Sequence, residues 1–374
     1  MTSNSPVNLS IFSCAKRQYA ALLLCAVTAS CGGGGGGGAA SCSDAQVQSL
    51  ESAMNTKLAR ADSEVDFSFT VENKNGRRYS FNRGASTLQT FYESASTSKI
   101  VSAVIIMRLV ERNYLSLASK PQDFISSWPI PTNDPMRNMT LGQLMNFTSG
   151  LTEEPTCLND ANTNSESCVD SIAAANAGRG IVPGSMFFYS ASHQQVAGLM
   201  AVRARGVASW QDVFAEFQSQ TGLFPTARFD VPSVSNPRIA GGMHFTAEEY
   251  MGFLRAFKNG SLLNAASMDQ MLADQTANVP IQYSPFMSGI GGGPGLGEDW
   301  HFGLGLTHEC RSPRYNCGPG GRVSSPGALG SYPFWDRTKN YFGIVVRQGI
   351  FGTLIKGINI ERSVEPEVEQ WAAC

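Results

Sequence analysis

Residues 93–101 read ESASTSKIV, with Ser96 three places ahead of Lys99 at the mouth of an apolar run. How this pair is read decides what fold surrounds it. A serine at a helix start lies near unpaired N–H groups and the positive end of the helix dipole. A lysine one turn later shares its face. The spacing alone allows two readings. In one, Ser96 caps the helix and Lys99 is solvated. In the other, Lys99 is desolvated, gives up its proton easily and serves as the base for Ser96. Ile100, Val101, Val104 and Ile105 surround Lys99 with apolar surface, where an idle charge is costly. A second Ser-x-x-Lys, Ser13–Lys16, falls in the leader and lacks partners.

The chain has 374 residues, enough to bury a large core in one big domain or two. A formal charge of -2 provides no basic stripe for phosphates, so nucleic acid is not an expected partner. Residues 1–30 read as a signal peptide: Lys16 and Arg17 flank the apolar core Tyr19–Val27, which is too short to span a membrane permanently. Thr28-Ala29-Ser30 then precedes Cys31 and seven glycines, Gly32–Gly38. A plain secretory signal would end at these small residues. The sharper reading is a bacterial lipobox, although Thr28 stands where leucine is usual. Cys31 then becomes the lipidated first residue and 31–41 a flexible tether. The chain is therefore expected to be exported, facing the periplasm or cell surface, and to meet a membrane only through that anchor.

Export places the cysteines in an oxidising compartment. With Cys14, Cys25 and Cys31 set aside, six remain, which allow 15 connectivities. Proximity favours Cys157–Cys168 and Cys310–Cys317, leaving Cys42 to meet Cys374. A metal site is not expected, since no CxxC occurs and the four histidines are scattered.

Along the chain, Val47, Leu50, Met54 and Leu58 recur at helical steps. VDFSFTV (65–71) alternates as a half-buried strand does, and Asn75-Gly76 marks a tight turn into RRYSF (77–81). The run 99–109 is apolar enough for a buried helix. Residues 121–232 mix helices with loop signals. Thr246 and Glu249 form a capping box for a helix through Phe257. A glycine-rich loop spans Gly289–Gly297. Strands are expected at 330–335 and 341–347, and a last helix through Val364, Val368 and Trp371. Strands at both ends with helices between give an α+β fold, or a sheet carrying a helical insertion.

Two further stretches bear on Ser96. Pro183–Ala191, PGSMFFYSA, reads first as core packing, yet a tyrosine facing Lys99 would ionise more readily and could shuttle protons. Val323–Gly330, VSSPGALG, has small residues that let a strand backbone approach a ligand, and an N–H there could join that of Ser96 around an oxyanion.

Ser96-x-x-Lys99, MTLGQLMNFTSGL (139–151), PGSMFFYS, Ile239-Ala240-Gly241-Gly242-Met243 with Thr246, and SSPGALG stand in one order. That order resembles the serine hydrolases of the β-lactamase and penicillin-binding-protein superfamily. The likeness is greatest to the class C β-lactamase, DD-peptidase and family VIII carboxylesterase branch. It implies a β-lactamase-like α+β fold, an antiparallel sheet flanked by the N- and C-terminal helices with a mostly helical domain inserted. The hydrolase domain would be 42–374, its α/β part 42–120 and 235–374 and its helical part 121–234. Such a topology joins the chain ends, which also suits Cys42–Cys374. By resemblance Ser96 is the acylated nucleophile, Lys99 and Tyr189 a coupled base and acid, and the N–H groups of Ser96 and Ala328 the oxyanion hole. No cofactor is implied.

The chain departs from that pattern twice. Ala191 stands where an asparagine usually helps place an amide, and neighbouring Ser192 or His193 could supply a polar group instead. Ser325 stands where lysine or histidine assists carboxylate recognition, with Arg322 as a nearby replacement. Both changes subtract from amide chemistry, and an ester, with its better leaving group, needs less help. The expected function is a Ser-Lys-Tyr esterase acting on small carboxylic esters. The alternatives are a D-alanyl peptidase or β-lactamase-type amide hydrolase, and an inactive cell-surface binding protein. Ser325, Gly327, His193 and Trp300 are the candidate substrate-lining residues, with His301, Phe302 and the glycine loop beside Trp300.

Overall fold

In the computed structural model, seven strands form one sheet in the spatial order Arg78–Arg83, Phe67–Glu72, Tyr341–Arg347, Tyr332–Asp336, Arg322–Ser324, Thr307–His308, His301–Phe302. Every neighbouring pair is antiparallel. The structure describes residues 42–61, 64–318 and 320–374. The leader, Cys31 and the glycine tether lie outside them. Residues 42–374 form one compact unit, and no helix among the described residues is long and apolar enough to cross a membrane.

The two central strands show why the sheet has two covered faces. On Tyr341–Arg347, residues Phe342, Ile344 and Val346 point into a core shared with the helices Ser98–Glu111 and Ala247–Lys258. Tyr341 and Val345 point into a second core with Met54, Leu58, Val364, Val368 and Trp371. The alternation of Phe67–Glu72 was expected to signal one wet face, but all six residues are buried. Its polar positions are satisfied internally: Ser68 shares a hydrogen bond with Ser86, and Thr70 Oγ1 donates to the Tyr79 carbonyl. Hydroxyls at alternate positions thus marked a second interior rather than solvent.

The first helix, Asp44–Leu58, starts with a Ser43–Gln46 capping box and packs on the last, Leu354–Ala373. Cys42 and Cys374 close a disulfide across their ends, and Cys157–Cys168 and Cys310–Cys317 are also joined. The last helix begins ten residues before Val364, its Gly357 lying where a Cβ would come within 1.9 Å of the Gly330 carbonyl. Helices from 121–234, chiefly Ser165–Asn176, Ser192–Arg205 and Trp210–Thr221, share the core of Ser98–Glu111. That shared core presents Ser98–Glu111 between the sheet and the helical part, with its N-terminus opening at their junction.

Arg322, on the strand Arg322–Ser324, is a buried charge of the sheet. Its guanidinium lies 2.7 Å from Glu361 and 3.0 Å from Glu365, on the terminal helix, and also donates to Tyr341. It is therefore part of the interior under the terminal helix and takes no part in carboxylate recognition beside Ser325.

Candidate active site

Ser96 lies in a single 3-10 turn, Ala95–Thr97, that runs straight into the helix Ser98–Glu111. Its hydroxyl makes no cap; instead Lys99 Nζ donates to Ser96 Oγ at 2.9 Å and to the Ala240 carbonyl at 3.1 Å. Ala95, just before Ser96, has φ 42°, a conformation that costs free energy for a side-chain-bearing residue and persists only when its surroundings impose it. The surroundings are visible. Ser94 exchanges backbone and side-chain hydrogen bonds with Met243, Tyr250 Oη donates to the Thr97 carbonyl, and Ser102 Oγ donates to the Ile239 carbonyl. Gly241 is needed here because a Cβ would press on the Ala95 carbonyl at 3.3 Å.

Lys99 is only 4% exposed. Burial brings its pKa down to about 7, Glu154 pulling upward and Arg238 downward. An amine near neutrality beside a hydroxyl can accept that hydroxyl's proton. Tyr189 lies over the same pair, its ring centroid 4.7 Å from Lys99 Nζ. Burial raises the pKa of its phenol, and the hydroxyl of Ser96 lowers it less. The expectation that a neighbouring cation would favour phenolate is thus reversed: desolvation dominates, and Tyr189 keeps its proton. Phe147 and Phe302 wall the ring at centroid distances of 5.6 and 6.0 Å.

Ala328 shares the cleft with Ser96. Neither its N–H nor that of Ser96 has an acceptor among the described residues, so both are available to a ligand oxygen. Gly327 brings the strand end in, since a Cβ there would lie 2.6 Å from the Ser94 carbonyl. Gly327 is therefore a contact of chain with chain, and the cleft-lining role falls to Ala328. Ser325 Oγ donates to the Ser96 carbonyl at 2.9 Å, fixing the Ala95–Thr97 turn rather than facing the cleft as a free group.

Two other candidates are displaced. His193 is fully buried, with Nδ1 2.8 Å from Ser149 Oγ and Nε2 2.9 Å from the Phe188 carbonyl. Burial drives its pKa to about 3, so it is a neutral brace behind the tyrosine strand. Trp300 is also fully buried, stacked on Phe286 at 4.1 Å with Nε1 donating to Glu298. His301 is held by Asp274 and stacks on Tyr315. The charged residues that stand in the cleft beside Lys99 were missed: Glu154, which accepts from the N–H of Ala191, and Arg238. Their signal was position alone, Glu154 three places after MTLGQLMNFTSGL and Arg238 immediately before IAGGM. The glycine loop contributes Ile290 to the cleft and makes room for Phe351, since a Cβ on Gly291 would lie 2.2 Å from that ring. Among the described residues no three His, Cys, Asp or Glu side chains gather as metal ligands.

A serine hydroxyl held by a buried amine, at the junction of an antiparallel sheet and a helical part, is the arrangement of a β-lactamase-fold serine hydrolase. The chain belongs to the beta-lactamase family, which it matches over residues 69–349. It is similar in structure to a beta-lactamase/D-alanine carboxypeptidase from Yersinia pestis, solved with citrate (TM-score 0.68, 16% identity, covering 88% of this chain and 99% of that one). A putative beta-lactamase from Bacteroides dorei gives a TM-score of 0.67 at 21% identity, covering 86% and 98%. EstCE1, described as a hydrolase with promiscuous acyltransferase activity, gives 0.66 at 15%, covering 86% and 99%. None of the curated proteins compared matches it. At these identities the solved structures speak to the fold alone.

Proposed function

We propose that the chain is an exported esterase that cleaves small carboxylic esters through an acyl-enzyme on Ser96. The observation that carries this reading is the 2.9 Å hydrogen bond between Ser96 Oγ and a buried amine whose pKa lies near 7. Ser96 Oγ attacks the ester carbonyl while its proton passes to Lys99 Nζ. The oxyanion is received by the N–H groups of Ser96 and Ala328. As the carbon–oxygen bond breaks, the alkoxide takes a proton from Tyr189, which Lys99 replenishes. Water then attacks the acyl group, releasing acid and free Ser96.

The ester preference rests on what surrounds that machinery. Ala191 offers only its N–H, already given to Glu154, and the Ser325 hydroxyl is given to Ser96. Ile290 and the half-exposed Phe351 supply an apolar wall for an acyl chain. A panel of p-nitrophenyl butyrate, a D-amino amide and nitrocefin tests the reading against a Ser96→Ala control. Faster release from the ester is expected. Nitrocefin cleaved faster would establish the amide alternative, and no release above the control from any of the three would establish the binding scaffold.

Export and the lipid anchor belong to the same proposal, and three disulfides are what an oxidising compartment permits. Labelled palmitate is expected in the wild-type chain and absent from Cys31→Ala; equal labelling of both would contradict the anchor.

A further inference from the structure

The cleft contains two charges of opposite sign, Arg238 and Glu154, that attract each other without forming a direct ion pair. Arg238 lines it beside Ser96, Lys99 and Glu154. Two of its guanidinium nitrogens are held from behind: Nε donates to the Leu158 carbonyl and Nη2 to Asn159 Oδ1. The third, Nη1, has no partner among the described residues, and no carboxylate lies within ion-pair distance of the group. Arg238 is partly buried, and that burial lowers its pKa while Glu154 and Glu93 pull it upward. A half-buried guanidinium, fixed in orientation by two of its donors and with the third uncommitted, is ready to bind an anion. Its planar fork fits a carboxylate.

We propose that Arg238 binds a carboxylate carried by the substrate, so that the cleft prefers esters bearing a free carboxylate to neutral esters of the same length. This rests on the ester reading and adds the substrate class. Glu154, the other charge in the cleft, opposes such a ligand and sets a counterweight that makes the preference testable by sign.

The experiment compares kcat/KM for mono-p-nitrophenyl esters of glutaric to suberic acid with neutral p-nitrophenyl esters of equal chain length. A second arm compares the butyrate ester of 4-hydroxybenzoic acid with phenyl butyrate, so that a carboxylate on either side of the scissile bond is sampled. In at least one arm the wild-type enzyme favours the anionic ester. Arg238→Gln lowers that anionic-to-neutral ratio about 10-fold or more, as loss of a charged hydrogen bond does. Arg238→Lys recovers part of it, and Glu154→Gln raises it. Opposite signs for the two variants are an outcome that general damage to the cleft would not give. Should Arg238→Gln fail to fold, salt decides: KM for the anionic ester rises with ionic strength while that for the neutral ester stays level. Equal ratios in wild type and Arg238→Gln, or no anionic preference in either arm, overturn the proposal. Failure to cleave even the neutral esters above Ser96→Ala would instead overturn the ester reading.

Discussion

Lys99→Met is expected to lower kcat/KM for p-nitrophenyl butyrate by roughly 1,000-fold, within the range of a lost general base. Methionine keeps the unbranched shape of the buried lysine and brings no new charge, so the fold should survive. Lys99→Arg should lose about as much, because a guanidinium holds its proton. If Lys99 served only as a positive charge, arginine would restore activity. The wild-type pH profile carries the same prediction. The amine must be neutral to accept the Ser96 proton, and its pKa is lowered to about 7. Hence kcat/KM should rise with pH up to about 7 and level above it, and Lys99→Met should abolish that limb. A flat wild-type profile from pH 5 to 8, or full activity in Lys99→Arg, would remove Lys99 from the role of base.

The largest expected effect on stability lies across the sheet from the site. Arg322→Met should destabilise the protein at neutral pH by roughly 3–5 kcal/mol, the cost of leaving a buried partner charge alone. Glu361 is fully buried, 2.7 Å from that guanidinium. Burial pushes its pKa up to about 7, with Arg322 pulling against it. The raised value means that ionising Glu361 works against folding: this penalty is absent below the unfolded carboxyl pKa and grows as pH rises toward 7. Without Arg322 the downward pull is gone, so Glu361 holds its proton longer and the penalty at higher pH deepens. Urea unfolding should therefore show a greater loss for Arg322→Met at pH 8 than at pH 5. An equal loss at both, or one under about 1 kcal/mol at pH 8, would show that the cluster is not held together by charge.

Much of this arrangement can be read along the chain, and the exceptions share a cause. Strands Tyr332–Asp336 and Tyr341–Arg347, the Asn75-Gly76 turn and the Thr246–Glu249 capping box depend on local pattern and appear where that pattern put them. The Cys157–Cys168 and Cys310–Cys317 pairs follow the same logic of proximity. Ser96 and Lys99 are one turn apart, so helix geometry alone brings them together. What pattern could not say is which side of an element meets another element. His193 and Trp300 are polar-edged side chains near the right motifs, but both point into the interior. Glu154 and Arg238 are 84 residues apart and carry no periodicity; loops bring them into one cleft. The pairing of Phe187–Phe188 with Ile281–Tyr283 is parallel and two to three residues long, too short for alternation to register. Ser325 illustrates the same limit: its hydroxyl was read toward a ligand, and a neighbouring carbonyl takes it instead.

The claim on which all of this depends is that Ser96 becomes acylated. Rapid mixing of the wild-type protein with excess p-nitrophenyl butyrate, acid quenching and mass spectrometry of the peptide containing Ser96 tests it directly. The account predicts one butyryl group on Ser96, formed in step with a burst of p-nitrophenol and absent from Ser96→Ala. Turnover of the ester with an unmodified Ser96 peptide at every quench time, and with undiminished release by Ser96→Ala, would contradict it.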